Sequence, residues 1–104
     1  MTHLAHTPKP PYYAVIFTSI LKLNDKGYAE EANKMLALAN DQAGFLGIES
    51  AREDLGISVS YLSDLDSINQ WKANADHLQS QKKGHVLWYQ GFKARVSKVD
   101  RNYA

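Results

Sequence analysis

The chain has 104 residues, a net charge of +1 with its histidines neutral, 44% hydrophobic and 22% charged residues, and no cysteine. That length fits one domain around one core, and a near-neutral balance with scattered basic residues leaves no electrostatic footprint for nucleic acid. The lack of cysteine excludes disulfides, thiolate metal sites and thiol catalysis, and no run approaches the ~18 apolar residues that a membrane span needs.

Residues 1–11 hold all three prolines (Pro8, Pro10, Pro11) together with His3 and His6. Proline fixes φ and cannot donate to a sheet ladder, so this segment reads as an extended N-terminal arm. Two histidines in such an arm do not close a metal site. The stretch Met1 to His6 lacks the charged-then-apolar pattern of a signal peptide, and a cytoplasmic protein is expected. Residues 12–104 then read as a single domain.

The first strand, about Tyr12 to Leu21, is apolar on both alternating faces, as suits an interior strand covered on both sides. Helices can cover one side. The other needs a cover that so short a chain does not supply, so a homodimer is expected. Asn24 or Asp25 can cap the helix that follows, with Gly27 near its start. Tyr28, Ala32, Met35, Leu36 and Ala39 form its apolar stripe, Glu30, Glu31 and Lys34 its wet face, and Gly44 suits a left-handed stop.

Strands of about Phe45 to Glu53 and Ile57 to Leu62 are joined by Asp54-Leu55-Gly56, a hairpin connection. In the second of these, Ile57, Val59 and Tyr61 share one face and Ser58, Ser60 and Leu62 the other. Small side chains aimed at a cavity leave volume there, although a solvent-facing strand carries them too. Ser63 with Asp66 resembles a capping box for a second helix, whose stripe is Ile68, Trp71, Ala75 and Leu78, with Gly84 at its end. His77 follows Trp71 by about 600° of helical rotation, well off its face. In the last strand, about Val86 to Val99, alternation puts Tyr89, Lys93 and Arg95 on one face and Trp88, Phe92, Ala94 and Val96 on the other. Trp88 and Phe92 are expected near the subunit contact.

The order β-α-β-β-α-β thus predicts an α+β fold, a four-stranded antiparallel sheet with both helices on one face. The space between helices and sheet is where such a domain holds a small molecule. No phosphate loop, paired-carboxylate motif, zinc spacing or nucleophile elbow occurs. The polar set that remains is His77, Trp71, Tyr61, Tyr89, Arg52 and Arg95. Arg52, near Glu49 and Glu53, reads as part of a surface charge ladder, and Arg95 as an intersubunit partner or a substrate clamp.

Pro10 to Ser19, Gly27-Tyr28, Gly44 to Ser50, Gly56 to Tyr61, Ile68 with Trp71, His77, Trp88-Tyr89 and Arg95-Val96 together resemble the antibiotic biosynthesis monooxygenase-like domain, over about residues 10–103. The resemblance implies a ferredoxin-like fold that pairs into a dimeric α/β barrel. Some members oxidise aromatic compounds with O2 and neither metal nor flavin; others bind and degrade haem. The haem-degrading members use an Asn on strand one and a late His on helix two. Here Ala14 to Ser19 contain no Asn, and Gln81 stands at the ligand position. No cofactor is therefore implied, with haem disfavoured.

On the cofactor-free route His77 is the candidate general base. Trp71 and Tyr61 wall the pocket, and Arg95 or Tyr89 stabilises negative charge. The leading expectation is a monooxygenase acting on a small aromatic or quinol-like molecule. The alternative is a non-catalytic small-molecule-binding or stress-related homodimer, and haem binding comes third.

Overall fold

The computed structural model describes residues 4–23, 27–82 and 89–104, without the side chains of Glu31 and residues 75–82. Its elements are β1 (Tyr12–Leu21), α1 (Tyr28–Asn40), β2 (Phe45–Arg52), β3 (Gly56–Leu62), α2 (Leu65–Lys82) and β4 (Tyr89–Val99). The strands form one antiparallel sheet in the order β2-β3-β1-β4, which puts the doubly apolar β1 in its interior.

Side chains alternate along a strand, so the register assembles rows that cross the sheet on one face or the other. One face carries the rows Phe92–Ser19–Gly56–Arg52, Ala94–Phe17–Ser58–Ser50 and Val96–Val15–Ser60–Ile48. The opposite face carries Lys93–Thr18–Ile57–Ala51 and Arg95–Ile16–Val59–Glu49. The helices lie on the first face but leave its β4 edge open, where Phe92 and Val96 are 52% and 54% exposed. Tyr28, opening α1, sets its ring 5.8 Å from that of Tyr89. Gln42, just past α1, donates its Nε2–H to the Ser67 carbonyl of α2 at 2.6 Å. Leu62, Ala39 and Ile68 are the buried apolar side chains of this layer, Leu62 at 0% exposure.

The helix-free face is covered at one end by residues near the chain termini. The Ala5 N–H donates to Glu49 Oε2 at 2.9 Å. The Tyr12 hydroxyl accepts from Thr7 Oγ1 at 3.0 Å and from Asn102 Nδ2 at 2.9 Å. Tyr12 and Ala14 are buried beneath. Further along the same face Ile57 and Ile20 are 43% and 44% exposed.

Several local expectations change. Asn24, Asp25, Gly84 and Trp88 lie outside the described residues. Gly27, in the left-handed region at φ 87°, is the N-cap of α1. That helix stops at Asn40, before Gly44, whose φ of 86° instead turns the chain into β2. The cap of α2 is Asp64, not Ser63: its Oδ1 accepts the Ser67 N–H at 2.7 Å, the donor standing three positions after the cap as the geometry requires. The largest change is in β4. The pairing runs from Ile20–Gly91 to Leu21–Tyr89, which leaves Gln90 as an extra residue. That bulge turns Tyr89 away from the face of Lys93 and Arg95 and onto the face of Phe92.

Candidate functional site

The site grows from the column of small residues that β3 presents to the helices: Gly56, Ser58 and Ser60. A row that is large at its edges and small here leaves room. At the hairpin end this room is a cleft of about 290 Å³, with Tyr28 as a wall, Ser50 and Ser58 on the floor, and Arg52 and Gly56 at the end.

Arg52 reaches this position by crossing β3. Its row runs Arg52–Gly56–Ser19, so a guanidinium aimed at Ser19 must pass over Gly56. A Cβ on Gly56 would overlap that guanidinium. Nη1–H donates to the Ser19 carbonyl at 3.3 Å and Nη2–H to Ser19 Oγ. Ser19 is 2% exposed, a buried hydroxyl that serves as an acceptor here. The guanidinium carbon also lies 5.6 Å from the Tyr28 ring centroid, within cation–π range.

Behind Tyr28 stands an aromatic group. Phe17 stacks on Phe92 at 5.5 Å and meets Tyr89 edge-on at 5.5 Å, and Tyr89 lies 5.6 Å from Phe92. Burial, the hydrogen bond to the Tyr28 hydroxyl and that hydroxyl's nearby charge push the Tyr89 phenol up, against a weaker opposite pull from Arg52. Tyr89 is therefore protonated at neutral pH. It can donate a hydrogen bond to an oxyanion but cannot act as a base.

Of the six side chains singled out by sequence, the five that are described divide between the two faces. Tyr89 is on the helix side, and Trp71 is half-buried on α2. His77 also stands on α2, with its side chain outside the described residues. Tyr61 and Arg95 project from the helix-free face, across the sheet from the cleft. The Tyr61 hydroxyl donates to Glu49 Oε1 at 2.6 Å. That bond, then burial and the carboxylate's charge, push the phenol up to about 12.

Arg52 does not form a charge ladder with Glu49. Residues 49 and 52 differ in parity, so on a single strand they face opposite ways. Glu49 bonds Tyr61 and Ala5 on the far face, while Arg52 serves the cleft. Parity was the available signal for Arg52. The parts of Tyr28 and Ser19 needed the register.

No family model matches the chain. Over 103 residues it is 50% identical to the uncharacterised protein YqjZ of Bacillus subtilis (strain 168), a match that spans 97% of this chain and 90% of YqjZ. SnoaB, a cofactor-independent oxygenase from Streptomyces nogalater, superposes with a TM-score of 0.67 at 11% identity, over 91% of this chain and 97% of SnoaB. A Bordetella bronchiseptica protein proposed to be an antibiotic biosynthesis monooxygenase superposes with a TM-score of 0.66 at 11% identity, over 85% and 96% of the two chains. One antiparallel sheet with two helices on one side is the α+β, ferredoxin-like fold that the chain shares with these solved structures. The chain belongs to the same family as YqjZ.

Proposed function

We propose that this protein is a cofactor-independent oxygenase that works as a homodimer on a small, electron-rich aromatic molecule held between helices and sheet. The observation that carries this reading is the helix-side cleft itself, where the Tyr28 ring and the Arg52 guanidinium meet at the edge of an aromatic wall. The likeness to SnoaB supports it at the level of fold.

A deprotonated phenol or quinol can pass electrons to O2 itself. The protein then has to provide a base, a donor for the oxyanion and walls that exclude water. In this reading His77 takes the proton, its ordinary pKa being close to the working range. Trp71 walls the cavity from α2, and Tyr89 donates to the developing oxyanion. Tyr61 and Arg95 belong to the dimer. The exposed Ile20 and Ile57 support a second copy covering the helix-free face. So do the opposite charges at the two ends of the row Arg95–Ile16–Val59–Glu49, since isologous pairing sets each residue against its complement. The cytoplasm is taken as its compartment, in keeping with a chain free of cysteine.

The test is O2 consumption by metal-stripped protein with a panel of quinols and anthrones, for the wild type and His77→Ala. Uptake lost in His77→Ala is the expected result; uptake that the variant retains in full rules out the base. One observation favours the second reading, a binding dimer without catalysis: the described lining of the cleft has no group that titrates near neutrality. Saturable binding of the same compounds with no oxygen uptake would decide for it.

A further inference from the structure

Arg52 is more deeply engaged than its place at a hairpin requires. It is half-buried and lies over a buried glycine, against a tyrosine ring. Guanidinium offers five N–H donors in a planar fork. Among the described residues two of these go to Ser19, both to neutral acceptors, and no carboxylate lies within ion-pair distance. Withdrawing a cation from water without a counter-ion is unfavourable. Here the cation also opens onto the cleft, whose floor adds the hydroxyls of Ser50 and Ser58. At about 290 Å³ the space is at the small end for a ligand site and suits a single ring.

We propose that Arg52 is the anion-recognising residue of this cleft and that the ligand is a small phenolic ring bearing a carboxylate. The carboxylate meets the guanidinium fork, the ring lies against Tyr28, and the serine hydroxyls take the second polar substituent. Gly56 is the positioning residue, because only a residue without Cβ lets the guanidinium cross β3 to Ser19 and present its free edge. This rests on the reading of the cleft as the substrate site and adds the class of substrate.

The test is calorimetric titration of the full chain with 4-hydroxybenzoate and with its neutral isostere 4-hydroxybenzamide. Wild type should bind the acid about 10- to 100-fold more tightly than the amide, the worth of one charge-assisted pair. Arg52→Gln should abolish that preference. In Gly56→Ala the overlap falls on the far end of a flexible side chain, so the fold should hold while the guanidinium is displaced and affinity for the acid falls. Lys98→Gln, which removes an exposed positive charge paired with Asp100, should change nothing. Equal binding of acid and amide by wild type, or undiminished acid binding by Arg52→Gln, overturns the proposal, and the wild-type comparison needs no variant to fold. Arg52-dependent binding without oxygen uptake would uphold the anion site and sink the oxygenase. Oxygen uptake with the same KM in wild type and Arg52→Gln would do the reverse.

Discussion

Replacing Tyr61 with Phe should reduce stability by an amount that depends on pH in a defined window. In the folded chain the Tyr61 hydroxyl donates to Glu49 Oε1 at 2.6 Å, and the carboxylate's other oxygen accepts the Ala5 N–H at 2.9 Å. The bond to Glu49 is the leading cause of the rise in the phenol's pKa from the ordinary 10.0 to about 12. A folded pKa above the unfolded one stabilises fully below pH 10 and loses that stabilisation as pH rises through 12. At face value the rise is worth about 2.7 kcal/mol, but the side chain is partly exposed, and solvent screening reduces this to about 1 kcal/mol. For a domain of this size that corresponds to a melting shift of about 4–8 °C. Urea unfolding of wild type and Tyr61→Phe, followed from pH 8 to pH 12, isolates the effect, because the other tyrosines cancel in the difference. The gap should be about 1 kcal/mol at pH 8 and close by pH 12. A gap that stays constant across this range would refute the reasoning, since the loss would then come from packing and not from the hydrogen bond.

Gly44→Ala should cost at least about 2 kcal/mol, because φ is +86° and a Cβ would come within 2.8 Å of both Ser63 Oγ and Ser67 Cβ. Thermal unfolding checks this, and an unchanged melting temperature would contradict the local geometry. Ile57→Glu places a charge on the helix-free face and should give a monomer by sedimentation velocity; a normal dimer would show that the copies meet elsewhere.

The fold was legible wherever one regular pattern ran without interruption. Ten residues of β1 with no polar face can only be an interior strand, and β1 lies between β3 and β4. The alternation of Ile57, Val59 and Tyr61 against Ser58, Ser60 and Leu62 likewise survives intact. Legibility failed where a single residue shifted the phase. The bulge at Gln90 reverses the face of Tyr89, and period-two counting back from Arg95 does not register an inserted residue. Caps failed for a related reason: Ser63 and Asp64 are both good capping residues, and only the start of α2 at Leu65 chooses between them. The candidate site was hardest to read because it is built across strands. Ser19, Gly56 and Arg52 come from three separate segments, and nothing in any one of them signals the row.

That row also gives the alternation of the sheet a functional consequence. Arg52 and Ala51 are neighbours in sequence, yet Arg52 shares its face with Gly56 and Ser19, while Ala51 ends the row of Ile57 and Thr18. The guanidinium is therefore set by the helix-side row, while Ala51 and Ile57 border the cleft from strand positions whose side chains alternate to the far face. Tyr61 is tied to Glu49 and through it to Ala5, so its loss should loosen the N-terminal segment and leave the volume beside Tyr28 intact. Glycine at 56 has the opposite reach. It contributes no side chain, but it sets where Arg52, the one charged group lining the cleft among the described residues, can lie, so the strand that forms the cleft floor also orients its charge.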